Sequence, residues 1–90
     1  MSYFVYILRT SANTLYIGQT YNLSKRIREH KLKGSKTAKY LKYFSFYNLV
    51  YQEEHNTRVS AMRREYQLKN WTRAKKEALI KGDLSLLKKL

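Results

Sequence analysis

Two short runs rich in aromatic and β-branched residues, Phe4-Val5-Tyr6-Ile7-Leu8 and Leu15-Tyr16-Ile17-Gly18-Gln19-Thr20, flank the polar, turn-prone stretch Arg9 to Asn13. This pattern predicts a β-hairpin around which the rest of the chain is organised. A pivot near Ser11 sets Tyr6 opposite Tyr16 and Phe4 opposite Gly18, so both phenols emerge on one face of the sheet. Asn22 then suits a helix N-cap, and a helix is expected from Leu23 to Lys33 with Gly34 at the C′ position. Arg26 and His30, four residues apart, share a face of that helix.

The partner class follows from charge. With 19 Lys+Arg against 6 Asp+Glu, the 90 residues carry +13, spread along the chain and not confined to a tail. Nucleic acid is the usual counterpart of such a basic, aromatic-rich domain, because cations neutralise phosphates while rings stack on unpaired bases. The competing reading is a generally basic or ribosome-associated protein. This length suits one domain over residues 1–90, with a core at about 3–80 and a short helical tail at 83–90, burying roughly 60 to 70% of its unfolded surface. The absence of cysteine excludes disulfides and thiolate metal sites and agrees with a reducing, cytoplasmic setting. The start lacks a basic n-region and its apolar run stops at Arg9, so neither a signal peptide nor a membrane span is expected.

Beyond Gly34, the stretch Ser35-Lys36-Thr37-Ala38-Lys39 reads as a solvated connector whose Lys36 and Lys39 are candidate phosphate contacts. A third strand is expected over Tyr43 to Tyr51, with Tyr40 and Leu41 leading into it and Glu53-Glu54 closing it. Without a bulge, Phe44 and Phe46 face away from Tyr43, Tyr47 and Tyr51. Asn56 or Thr57 caps a helix from about Arg58 to Asn70. On its wheel Val59, Met62 and Tyr66 mark one side of the apolar arc and Ala61 and Leu68 the other, which aims Glu65 inward. An ordinary i,i+4 pair with Lys69 is the alternative for Glu65. Trp71 reads as core, Thr72 to Ile80 as a further helix ended by Gly82, and Leu84, Leu86, Leu87 and Leu90 as an amphipathic tail begun by Asp83 or Ser85.

Elimination narrows the chemistry. No P-loop, GxGxxG, GxSxG or HExxH pattern is present, so nucleotide cofactors, a serine elbow and a zinc site lack support, and His55 has no acid partner that the sequence reveals. Only Glu65 among the acids is placed inward, and one carboxylate with waters and a substrate phosphate is enough to bind Mg²⁺. Phosphodiester hydrolysis remains: it needs an activated water, a cation for developing charge, and a metal. Tyr6 and Tyr16 would orient or deprotonate water, Arg26 would grip the phosphate, His30 would relay or orient protons, and Glu65 would hold the metal. A phenol titrates near 10, so Tyr6 acts as a base only if neighbouring cations lower it.

These residues resemble the GIY-YIG endonuclease domain, in particular its small stand-alone bacterial members, from Tyr3 to about Ile80. Phe4-Val5-Tyr6 stands at the first triplet, Tyr16-Ile17-Gly18 is the second triplet intact, and Gln19, Thr20, Leu23, Arg26 and His30 continue the pattern. Arg64-Glu65 matches the metal-binding glutamate. The resemblance implies an α+β fold, a small three-stranded antiparallel sheet flanked by helices, and cleavage of DNA dependent on Mg²⁺ or Mn²⁺, in repair or processing. It implies the site residues Tyr6, Tyr16, Gly18, Arg26, His30 and Glu65. Phe4 replaces the first glycine of the family, and the downstream asparagine of some members has Asn70 as its nearest counterpart. No separate DNA-recognition domain fits in this length, so selectivity comes from DNA structure, from a protein partner, or is absent. The rival from a different class is a nucleic-acid-binding module that keeps the fold without cutting.

Overall fold

The hairpin forms, with its turn one residue later than expected. In the computed structural model, which describes residues 2–31 and 46–90, β1 (Tyr3–Thr10) and β2 (Leu15–Thr20) pair antiparallel with Tyr6 opposite Gly18 and Leu8 opposite Tyr16. The pivot is therefore Ala12. Asn13 adopts φ 64°, and its amide donates to the Thr10 carbonyl at 2.9 Å while the Thr10 amide donates to the Thr14 carbonyl at 2.9 Å. Asparagine tolerates that left-handed conformation far better than a β-branched residue would. Moving a pivot by one residue changes each partner by two, so every side chain keeps its face and only the pairing changes.

The third strand, β3 (Tyr47–His55), pairs antiparallel with β1 and completes a sheet of order β2-β1-β3. It runs past Glu53-Glu54, which do not close it. A register shift between Ile7 and Leu8, whose partners are Tyr51 and Leu49, leaves Val50 as an extra residue. Tyr47 and Tyr51 consequently lie on opposite faces, in place of the shared face that an unbulged strand would give. Gly34, Lys36, Lys39 and the lead-in from Tyr40 to Phe44, and with them the expected end of the first helix and the basic connector, lie outside the described residues.

Each face of the sheet has its own cover. Val5, Ile7 and Ile17 pack with Ala61, Leu68 and Leu79 of α2 (Arg58–Lys69) and α3 (Arg73–Lys81), with Trp71 at the edge beneath the Arg64 guanidinium, 5.1 Å from the ring centroid. On the other face Tyr6, Leu8 and Tyr47 pack with Tyr16 and with Leu23 and Ile27 of α1 (Leu23–Lys31). Among the described residues the caps read from sequence are present, and Thr72, expected inside its helix, caps α3 instead. The Asn22 side chain accepts from the Lys25 amide at 3.1 Å, Thr57 from Ser60, Thr72 from Lys75, and Gly82 ends α3 at φ 75°. Asp83 caps α4 (Leu84–Lys89).

Two parts of the helical reading change. On α2 only the Ala61 and Leu68 side of the apolar arc is buried, while Val59, Met62 and Tyr66 face solvent, Tyr66 at 73% exposure. The ridge reaching the sheet is thus narrower than composition suggested, because small Ala61 lets the helix approach closely. Arg9, which also donates to Asn13 Oδ1 in the turn at 2.8 Å, grips Glu77 of α3 at 2.6 and 2.9 Å, and with Arg73 it pulls that carboxyl down to about 2. No helix among the described residues is long and apolar enough to cross a membrane.

Candidate active site

On α1, residues 23, 27 and 30 form one stripe at helical spacing, so His30 follows Leu23 and Ile27 into the sheet. His30 is 0% and Tyr6 1% exposed, and the Tyr6 hydroxyl lies 3.0 Å from His30 Nε2. The rings of Tyr16 and Tyr47 meet His30 edge-on, with centroids at 5.8 and 6.1 Å. The Tyr6 ring reaches this position because the residue opposite is Gly18: a Cβ there would stand 2.5 Å from the phenol oxygen. The intact second triplet therefore has a steric reason at its glycine.

Electrostatics define the pair further. Burial, reinforced by the neighbouring Tyr16, pushes the Tyr6 phenol up to about 12 although Arg26 opposes it through a side-chain hydrogen bond and its charge. Burial and then the Arg26 charge lower His30 to about 4. At neutral pH both groups are uncharged. The Tyr6 hydroxyl and His30 Nε2 share one hydrogen bond, and the Arg26 guanidinium acts on the same phenol. His30 Nδ1 and the Tyr47 hydroxyl are buried without hydrogen-bond partners among the described residues. Arg26 and Tyr16 remain half-buried, at the accessible side of the buried pair.

Four of the expected residues, Tyr6, Tyr16, Arg26 and His30, thus meet in one place, with Gly18 making room. Glu65 stands farther off. It lies between Ala61 and Leu68 on the sheet-facing side of α2, its side chain 23% exposed, and its charge reaches Tyr6 as the weakest of the influences on that phenol. Among the described residues it pairs with Lys69 at 3.7 Å.

The sequence matches the family model of the GIY-YIG catalytic domain over residues 2–78. The chain belongs to the GIY-YIG family. It is similar to UPF0213 proteins of Staphylococcus aureus strains Mu50 and N315, each 41% identical over 80 residues that span 89% of this chain and 95% of theirs. It is also similar to the solution NMR structure of a UPF0213 protein from Bacillus halodurans, 34% identical with a TM-score of 0.58, covering 90% of this chain and 84% of that one. The α+β fold with its three-stranded antiparallel sheet stands on these grounds, and the family is one of nucleases that generally depend on a divalent metal.

In this GIY-YIG domain the donors around the buried His30 imidazole are oxygens, the Tyr6 and Tyr16 phenols with the Glu29 carboxylate and, farther off, that of Glu65, which suits a hard divalent cation better than zinc. No group of three or more His, Cys, Asp or Glu side chains suited to a metal occurs among the described residues. Asn70 is the C-cap of α2, and its side-chain amide donates to the Tyr66 carbonyl at 2.8 Å. That satisfies a helix end and accounts for the residue locally.

One cluster escaped the sequence reading. Glu53 accepts from Tyr51 at 2.5 Å and from Arg64 at 3.2 and 3.1 Å, and pairs with His55 Nε2 at 2.5 Å, while His55 Nδ1 lies 2.6 Å from Ser60 Oγ. His55 does have an acid partner. The signal was the period of two, which puts Tyr51, Glu53 and His55 on one face once the strand is carried through to His55. Burial alone would raise the Glu53 carboxyl, but the hydrogen bonds from Tyr51 and His55 and the Arg64 charge hold it below the usual carboxylate range. Arg64 and Ser60 belong to α2, so the cluster ties that helix to β3.

Proposed function

We propose that this chain is a metal-dependent DNA endonuclease, structure-selective or weakly sequence-specific, working with Mg²⁺ or Mn²⁺ in DNA repair or processing. The observation that carries the reading is the Tyr6–His30 pair with Arg26 and Tyr16 at its accessible side, in a GIY-YIG domain charged to +13. Arg26 binds the scissile phosphate and offsets the charge that develops on it. Tyr16, the half-exposed phenol, orients the attacking water. Tyr6 is sealed from solvent and held as a neutral phenol, so it positions Arg26 from behind and does not remove the proton from water. His30 fixes Tyr6 in turn. Glu65 would hold the cation, which when bound would lower the pKa of a water and offset charge on the leaving oxygen.

A second reading has its own support. The +13 charge serves binding alone equally well, and the pairing of Glu65 with Lys69 suits a nucleic-acid-binding module on the same fold. Incubation with plain duplex, flapped, branched and single-stranded DNA, in Mg²⁺, Mn²⁺ or EDTA, separates the two. Cutting of any member in metal and of none in EDTA supports the nuclease. Salt-sensitive binding without cutting supports the module.

A further inference from the structure

The geometry points to a pocket for one unpaired nucleotide beside Arg26, an inference that rests on the nuclease reading and specifies its substrate class. A cavity of about 590 Å³ opens between the end of β2, the outer side of α1 and the first turn of α2. Tyr6, Tyr16, His30 and Glu65 do not line it. Arg26 belongs to both places, touching the Tyr6 phenol and the cavity wall. A phosphate held by Arg26 therefore has the buried pair on one side and this cavity on the other.

The lining matches the parts of a nucleotide. Tyr3 and Tyr21 offer rings for a base, Tyr21 at 59% exposure with its face open. Arg58, the first residue of α2, adds a second guanidinium, and it has no ion-pair partner among the described residues. Gln19 and Glu29 supply an amide, which both donates and accepts, and a carboxylate acceptor for a base edge. The volume falls within the ~300–1,000 Å³ of small-molecule sites, whereas a duplex presents grooves roughly 12 and 6 Å wide that such a cavity does not enclose. A base enters only from a single strand or by leaving its stack, and that cost is least where the base is already unpaired. Selectivity for flaps, gaps or single strands follows without a separate recognition domain.

The full chain, labelled with ¹⁵N, is titrated with deoxyadenosine 5′-monophosphate, with deoxyadenosine and with inorganic phosphate. Saturable shifts of the Gln19 to Tyr21 and Arg58 amides by the nucleotide, about tenfold weaker in Tyr21→Ala and in Arg58→Ala, are expected. In cleavage assays the same variants should lose roughly tenfold of the preference for an unpaired over a fully paired substrate. Equal responses to nucleotide and inorganic phosphate would reduce the cavity to an anion site and overturn the proposal, as would shifts elsewhere or an unchanged preference. Nucleotide binding at these amides without any DNA cutting would uphold the cavity and sink the nuclease reading; cutting without such binding would do the reverse.

Discussion

The Tyr6 ring lies across the bare Cα of Gly18, so close that a Cβ would stand 2.5 Å from the phenol oxygen and 2.6 Å from Cζ. Because Tyr6 is buried against His30, the ring has nowhere to retreat. Gly18→Ala should therefore cost about 1–3 kcal/mol by overpacking and break the Tyr6–His30 hydrogen bond. Urea unfolding together with the ¹⁵N signals of the His30 ring checks both. An alanine variant of unchanged stability and unchanged His30 signals would contradict the packing described.

His30 makes the fold sensitive to mild acid. Its pKa is about 4 folded and near 6.5 unfolded, so the neutral ring is what the fold prefers. The stabilisation is complete above pH 6.5 and is lost as pH falls through the folded value near 4. Between pH 7 and pH 5 the loss should be about 2 kcal/mol. Carboxylates such as Glu53 and Glu77, held low, add theirs only at lower pH. Urea melts at the two pH values should show this slope in the parent chain and a flatter one in His30→Gln.

The two phenols should separate in their effects. Tyr6→Phe removes the hydrogen bond of a buried imidazole whose Nδ1 has none among the described residues, and should destabilise by about 1–3 kcal/mol. Tyr16→Phe acts at a half-exposed ring and should leave the melt within about 1 kcal/mol while lowering cleavage more strongly. Thermal melts and cleavage rates on the same preparations decide it; equal effects of the two variants would undo the division of labour.

Glu53→Gln tests the cluster that joins β3 to α2. Losing the charge weakens the bonds from Arg64 and His55, and about 1–2 kcal/mol of stability should go. Metal-dependent cutting per folded molecule should persist, since none of this cluster lies at Arg26. A rate that collapses while the melt holds would move these residues into the chemistry.

Much of this architecture is legible from local patterns, because hairpin, caps and helices depend on neighbours in sequence. Aromatic and β-branched runs with a polar break between them mark β1 and β2, and Asn22, Thr57 and Gly82 mark helix ends. The spacing that sets Arg26 and His30 on one helix face also brings them to Tyr6. What was not legible depends on tertiary fit. The turn at Ala12 and the extra residue Val50 set the register, and neither leaves a mark in composition. The burial of Tyr6 and His30, which turns a prospective base into a neutral scaffold, follows from α1 lying on the sheet. The partnership of His55 with Glu53 was hidden by ending the strand at Tyr51, four residues before His55. On α2 the wheel shows an apolar arc but not which half of it the sheet covers, so exposed Val59, Met62 and Tyr66 read as core.

Salt should expose the phosphate contacts. Arg26→Ala should weaken DNA binding and reduce the slope of log affinity against log salt by about 1, as expected for one lost phosphate contact. Fluorescence anisotropy across a salt series measures it, and an unchanged slope would remove Arg26 from the phosphate.

The most direct test of the central claim compares the parent chain with Glu65→Ala in DNA cleavage and DNA binding, each in Mg²⁺ and in EDTA. The account predicts metal-dependent cutting by the parent, none by the variant, and binding by the variant as tight as the parent's or tighter, since a negative charge has left a basic surface. A variant that cuts as well as the parent would contradict it.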